Sequence, residues 1–576
     1  MPLNKLSATA LLLASLGLFT QPAQANLSQQ QSAAIVKAFD GSDPADFKQF
    51  LGKLKGSDLA KADGLAATLD TFLAGKPLAA EQQNEINRLL GLYTRIKYAK
   101  AATANLSELV AIPTVAVDGV PQHENPEFLK IADRIKALAD SFGLAFRNID
   151  NRVYEISLGE GKEVVGLHAH ADVVPVNPAN WKLADGTRLD PFKLTLVGDR
   201  MYGRGTEDDK NGIIVALYAL KVAKDENLPL ARQIKLLIDT TEETSGDAIP
   251  YYFERNPTPD YNLALDGGYP VVIAEKGYGT VMASFSKRAA SGKGAEIVNL
   301  TGGLATNQIP TTSVATLVAD NPADLAKRLE KAGADYVKRN GNDFGIAAKV
   351  EGKQVVLTVT GVSAHSSEPE SGINPVARML GFLNGLGQQV PLKHNHFTDA
   401  ARYAADNWGL DYLGNTLGIG FQDSFMGPLT TSLTFVGVDE KGLKLAVNLR
   451  IPKGKPLATL KGQLADKLGQ WTRRSHTSVA FDYSLDEPMY RNPEGEWVKA
   501  LLDVASENLG MKHEFGTSAG ATSVHDLPNG VQFGLAMPDV KYTGHNDNEF
   551  KTVEQFLLDL QVVSEMVARI GQMPKL

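Results

Sequence analysis

Val164-Val165-Gly166-Leu167 runs directly into His168-Ala169-His170-Ala171-Asp172, and Lys235-Leu236-Leu237-Ile238 runs into Asp239-Thr240-Thr241-Glu242-Glu243. In both places a short apolar run ends in ionisable residues. A third run over 262–265 ends in Asp266, ahead of Gly267-Gly268. Short continuous apolar runs bounded by turn residues read as buried strands of a largely parallel sheet. Apolar residues at helical spacing predict helices over 128–142 and 212–224. This alternation predicts an α/β layer from about 125 to 276. In open sheets of this kind ligands gather at the carboxyl ends of the strands, where these polar residues fall.

Downstream the texture changes. Alternating strands are expected over 280–285, 355–360, 433–438 and 443–448, with helices over 322–332, 374–386 and 457–472. That pattern predicts an α+β unit over 278–484, inserted into the first domain. Residues 485–576 return to helix, strand, helix and complete that domain, whose first part is 89–277.

Upstream, Phe47, Phe50, Leu51 and Leu54 recur at helical spacing, so 26–88 reads as a helical extension. Helical periodicity resumes over 86–106. Residues 1–25 read as a secretory signal peptide: Lys5, an apolar stretch over 6–19, then Ala23-Gln24-Ala25. That stretch is about 14 residues, short of the ~20 needed to span a bilayer. A periplasmic or secreted protein without a membrane anchor after cleavage is expected.

With 43% hydrophobic and 22% charged residues, the 576-residue chain is not a disordered one. The formal charge of −8 gives no electrostatic reason to expect nucleic acid or an anionic membrane as partner. There is no cysteine, which excludes disulfides, thiolate metal sites and a cysteine nucleophile.

Five constellations carry ionisable groups. His170 is followed by Asp172, which at a strand end fits an imidazole ligand whose second nitrogen is held by an acceptor. Gly203-Arg204-Gly205-Thr206-Glu207-Asp208-Asp209-Lys210 lies just before a helix. Glu242-Glu243, Asp266 and His545 complete the set. Taken singly, each also fits a blander role: a structural hydrogen bond, a solvated turn, or acids at a helix N-terminus. Taken together, His170, Asp208, Glu243, Asp266 and His545 supply two imidazoles and three carboxylates. That set suits two divalent ions about 3.5–4 Å apart with one carboxylate bridging. Mixed N/O ligation without sulfur is compatible with zinc, and with cobalt or manganese.

The order H-A-D-V-V-P, G-R-G-T-E-D-D-K, T-E-E-T-S-G, L-D-G-G, G-H-N-D-N-E resembles the M20 metallopeptidases, most closely their PepV or Xaa-His dipeptidase branch. The resemblance covers roughly 90–576. It implies a two-domain architecture, an α/β sandwich catalytic domain with an inserted lid domain, to which this chain adds its N-terminal extension. It implies two zinc ions, with His170 and Asp266 on one, Glu243 and His545 on the other, and Asp208 bridging. Asp172 would support His170, and Glu242 would act as general base on the metal-bridging water. In the lid, His365 of Gly361-Val362-Ser363-Ala364-His365-Ser366 would stabilise the oxyanion. Arg450 of Asn448-Leu449-Arg450-Ile451-Pro452 would grip the substrate carboxylate, and Asn307 would add a lid contact. Gly520 and Thr522 would lie near that carboxylate. The family's Gly-Gly-Thr reads Gly520-Ala521-Thr522 here, and Asn211 replaces a usual glycine.

The function expected is therefore an exported dinuclear zinc dipeptidase acting on small peptides, with a homodimer left open. The alternatives are a related M20 carboxypeptidase, tripeptidase or N-acyl-amino-acid amidohydrolase, or a non-catalytic periplasmic peptide-binding protein. His394 and His396 read as exposed loop histidines, and His168 as near the site without being a ligand.

Overall fold

The computed structural model describes residues 27–61 and 65–576. The expected signal peptide lies outside the described residues. Three strands decide the architecture. Gln233–Asp239, Val164–His170 and Tyr261–Ala264 are adjacent and mutually parallel, with His170 level with Asp239 and His168 level with Ala264. Their side chains are buried on both faces, which is why they read as unbroken apolar runs. Ala145–Ile149 and Val153–Leu158 extend this sheet at one side by antiparallel pairing. On the other side Val531–Gln532 and Val272–Glu275 continue it. Helices Lys210–Asp225, Glu496–Leu509 and Val553–Gln572 contribute Ile213, Leu217, Leu501, Phe556 and Val563 to the core around it.

A second sheet has eight strands, in the order Gly345–Glu351, Gln354–Thr360, Thr312–Val318, Glu296–Gly302, Thr430–Asp439, Gly442–Ile451, Gly277–Ser286, Ala480–Leu485. Every pairing in it is antiparallel. Most of its strands alternate buried and more open positions, while Gly442–Ile451 is buried almost throughout, and one face packs against helices Pro322–Arg339, Pro375–Gly385, His396–Asn407 and Leu457–Ser475. The other face carries Tyr278, level with Arg450, and Thr280, level with Asn448.

The extension folds as helices Gln29–Phe39, Phe47–Lys55 and Leu65–Leu73. Asp46 caps the second of these by accepting the Gln49 amide at 2.7 Å. Phe47, Phe50, Leu51 and Leu54 are all buried, against Phe39 and Tyr93. Helix Ala80–Val110 then runs without a break past residue 88 and packs along Val553–Gln572. A rigid rod, rather than a linker, therefore joins the extension to the first sheet's layer. Arg88, 2% exposed, is the main polar tie. It donates to Glu565 at 2.7 Å, Glu507 at 2.6 Å and the Leu27 carbonyl at 3.2 Å. Arg88→Met takes one cation away from buried Glu565 and from partly exposed Glu507, so a loss of about 3 kcal/mol of stability is expected in chemical denaturation. An unchanged midpoint would contradict this account of the seam. Among the described residues no helix is long and apolar enough to cross a membrane.

Candidate metal centre

Because the three central strands are parallel, their carboxyl ends open onto one edge. His170 ends the middle strand, Glu242 and Glu243 follow the strand on one side, and Asp266 follows the strand on the other. Asp208 reaches the same point from the turn before helix Lys210–Asp225, and His545 from the loop before strand Phe550–Thr552. His170 Nε2 is 2.9 Å from Asp208 and 3.6 Å from Asp266. His545 Nε2 is 2.8 Å from Glu243 and 3.1 Å from the second oxygen of Asp208. Asp208 thus lies between the two imidazoles. One potential ligand atom each from His170, Asp208 and Glu243 lie within 4.8 Å of one another, and the same holds for His170, Glu242 and Asp266.

Asp172 holds this arrangement in a way the motif does not spell out. Its carboxylate accepts the backbone N–H groups of Glu242 at 3.2 Å and Glu243 at 3.0 Å. His170 Nδ1 meets the Asp172 carbonyl oxygen at 2.9 Å and its carboxylate only at 3.4 Å. One residue therefore orients both the imidazole and the adjacent acids.

The electrostatics are those of a cluster with too many acids. Burial lifts Glu242 well above the usual carboxylate range; His170 opposes this, and Asp266, Glu243 and Asp172 reinforce it. Burial likewise raises Glu243, with Asp208 adding to it. Burial works against protonated His545, yet its bonds to Asp208 and Glu243 push it up to about 11. Among the described residues no lysine or arginine pairs with Asp208, Glu242, Glu243 or Asp266. Clustered acids with two imidazoles and no lysine or arginine partner among the described residues are a donor set that fits hard or borderline divalent metals.

Several supporting residues escaped the sequence reading. Glu549, fully buried, accepts the N–H groups of Gly205 at 2.9 Å, Glu207 at 2.8 Å and Asp208 at 3.2 Å through one oxygen. Its other oxygen pairs with Arg204 at 2.5 Å. It moulds the turn that presents Asp208, and burial lifts it to about 7 against the pull of Arg204. Tyr542 donates to Asp208 at 2.6 Å, and Asp209 accepts the His170 backbone N–H at 3.2 Å. Asp209 and Glu549 stood inside the quoted motifs without a role, and Tyr542 lay outside them.

The second sheet brings its own groups. Ala364–His365 pairs with Gln308–Ile309, and the Asn307 carbonyl accepts the Ser366 N–H at 2.9 Å. The Asn307 side chain is exposed. His365 Nδ1 lies 2.5 Å from the Ser367 hydroxyl and 3.3 Å from the Ser367 N–H; as acceptor of both it leaves the ring proton on Nε2. Its surroundings desolvate it, and Arg450 and His545 repel a further charge, which lowers it to about 4. His365 is therefore uncharged near neutral pH, with Arg450 of the second sheet and His545 of the metal cluster both opposing its protonation. Arg450 is 5% exposed and has no carboxylate partner among the described residues. Its Nε donates to Asn448 at 3.1 Å and an Nη to Ser366 at 3.3 Å, and burial lowers it to about 10. Thr522 donates its hydroxyl to Glu275 at 2.8 Å, and the Gly520 N–H donates to Ser518 at 3.0 Å.

The loop histidines need one correction. His394 is exposed, but His396 is 6% exposed. Asn395 caps helix His396–Asn407, which turns the His396 ring inward against Phe397, with centroids 4.1 Å apart. His168 is buried, bonded to Asn262 at 3.0 Å, and lowered by burial to about 4.

The sequence profile of peptidase family M20/M25/M40 matches residues 166–569, a span that contains every residue of this cluster. The chain belongs to that family. M20 peptidases are metal-dependent, in keeping with the donor set. Among relatives, "Putative dipeptidase YtjP" of Bacillus subtilis is 27% identical over 446 residues, covering 76% of this chain and 89% of its own. A Staphylococcus saprophyticus protein, also named as a putative dipeptidase, is 26% identical over 488 residues, covering 82% and 98%. Human carnosine dipeptidase 1 has the same fold, with a TM-score of 0.51 at 14% identity, over 85% of this chain and 99% of that one. The M20 chain described here is an α/β peptidase with a second, antiparallel sheet unit.

Proposed function

We propose that this M20 peptidase is an exported dipeptidase working with two divalent ions, zinc being the expected metal. One observation carries the reading: His170, Asp208, Glu243, Asp266 and His545 converge at the carboxyl ends of the parallel strands, with Asp208 2.9 Å from one imidazole and 3.1 Å from the other. The donor His365 and the carboxylate grip Arg450 would come from the second unit. His170, Asp266, Glu243 and His545 would hold the ions in pairs, with Asp208 between. Bound there, the ions would polarise the scissile carbonyl and make water a competent nucleophile near neutral pH.

The chain's own groups do the rest. Glu242 takes the proton of the attacking water at a carboxylate oxygen and passes it to the leaving amine. His365 Nε2–H donates to the oxygen of the tetrahedral intermediate. Arg450, desolvated and without an acid, binds the terminal carboxylate of the substrate. A grip on that carboxylate so near the cleavage point favours a short substrate. The names of the Bacillus and Staphylococcus relatives support the same substrate class. The expected export signal over 1–25 supports a periplasmic or secreted location.

The test is hydrolysis of a dipeptide panel, with tripeptides, N-acyl amino acids and dipeptide amides as controls. Dipeptides with a free carboxylate should be preferred. Arg450→Met should raise KM for them at least about tenfold, because a charge-assisted bidentate contact is lost. Preference for acylated amino acids or tripeptides would replace the dipeptidase reading with a sister activity.

A further inference from the structure

The chain crosses between the two sheet units twice, at Glu275-Lys276-Gly277 and at Asp486-Glu487-Pro488. These crossings touch: a Cβ on Gly277 would lie 2.2 Å from the Asp486 carbonyl oxygen, so only glycine permits the approach. His525, which no motif singled out, bridges them. Its Nδ1 is 2.7 Å from Glu275 and its Nε2 is 2.8 Å from the Glu487 carbonyl oxygen.

Counting donors gives its protonation. A carbonyl oxygen only accepts, so Nε2 carries a hydrogen. Glu275 receives the Thr522 hydroxyl at 2.8 Å, the Thr522 N–H at 3.3 Å and the Gln532 amide at 2.6 Å. With those donors on both of its oxygens Glu275 is suited to the acceptor-only carboxylate form, which places the second ring hydrogen on Nδ1. His525 is then a buried imidazolium paired with a buried carboxylate. Burial opposes that charge, and the bond to Glu275 outweighs it, raising His525 above its usual range. Asp526 adds to the same direction.

Both halves of the proposed carboxylate site hang on this pair. On one side the Tyr278 ring stands edge-on to His525, with centroids 5.9 Å apart, and Tyr278 is directly level with Arg450. On the other side Glu275 holds Thr522, and the Lys276 N–H donates to the Ser518 carbonyl at 3.0 Å, at the entry to the 520–522 loop. Lys276 Nζ also donates to the Pro428 carbonyl at 2.6 Å, next to the strand that flanks Arg450.

We infer that His525, through Glu275 and the Glu487 carbonyl, is a positioning residue that sets the separation between Arg450 and the 520–522 loop, and so the fit of the substrate's terminal carboxylate. The inference rests on the reading of Arg450 as the carboxylate grip. It concerns a residue about which that reading says nothing.

The experiment compares wild type, His525→Gln and Glu275→Gln on one dipeptide and on its C-terminal amide. Wild type should prefer the free acid. In both variants KM for the acid should rise about tenfold, the worth of one charge-assisted hydrogen bond, with kcat changed far less. KM for the amide should stay where it was. A merely structural histidine would shift both substrates together, and that result overturns the inference, as does unchanged preference in both variants. If wild type itself cleaves acid and amide equally, the Arg450 reading fails first, and the inference falls with it. Nitrogen NMR of histidine-labelled wild type provides a readout that needs no variant to fold. Two ring N–H signals for His525 at neutral pH are expected, and a single one overturns the assignment.

Discussion

Glu242→Gln should lower kcat by about three orders of magnitude while leaving bound metal unchanged, the size of effect expected for loss of a general base. Gln keeps the shape of the side chain and cannot take a proton. The backbone N–H of residue 242 would still donate to Asp172, so the loop that carries Glu243 should hold its place. In the metal-free chain burial pushes Glu242 well above the usual carboxylate range, with three neighbouring acids adding to it against the pull of His170. Cations at His170, Asp208, Glu243, Asp266 and His545 would reverse that balance and free the carboxylate for its task. Metal content by elemental analysis and kcat on the best dipeptide check the two halves separately. A Gln variant that keeps a tenth of the activity would remove Glu242 from the role of base.

Asp208→Ala should cost more than a hundredfold in metal affinity, exceeding the loss typical of a residue that only supports a ligand. Among the described residues Asp208 is the one acid ion-paired with both imidazoles, at 2.9 Å and 3.1 Å. It also receives the Tyr542 hydroxyl and has its backbone fixed by Glu549. Metal that binds only the folded chain raises its stability by about 2.7 kcal/mol per site at a hundredfold excess over Kd. Thermal unfolding with and without zinc should therefore show a rise for wild type and little or none for the variant. Equal rises would mean that Asp208 does not join the two halves of the centre.

The strands and acids of the first sheet were legible because both signals are local. A parallel strand buried on both faces reads as an unbroken apolar run, and its ligands follow within a few residues. The second sheet was half legible. Gly345–Glu351 is mostly exposed, and only Ala348 and partly Ile346 turn inward, which leaves a weak apolar face to read. Glu296–Gly302 loses its alternation at a register shift between Ile297 and Asn299. The helical periodicity read over 86–106 falls inside helix Ala80–Val110, whose start lies upstream of it in the polar run Ala80-Glu81-Gln82-Gln83-Asn84.

The supporting shell was not legible, for a different reason. Asp208 meets Tyr542 and Glu549 across 334 and 341 residues, and Glu275 meets His525 across 250. No spacing rule links such pairs, because only the folded sheet order brings them together. His396 was misread because its capping residue Asn395 was taken as loop, whereas the helix it starts buries the ring.

The most direct test of the central claim is a titration of metal-free enzyme with zinc, following bound metal and dipeptide hydrolysis together. Activity that rises with zinc and saturates at two ions per chain is the expected result. Saturation at one ion, or hydrolysis at full rate without metal, would contradict it.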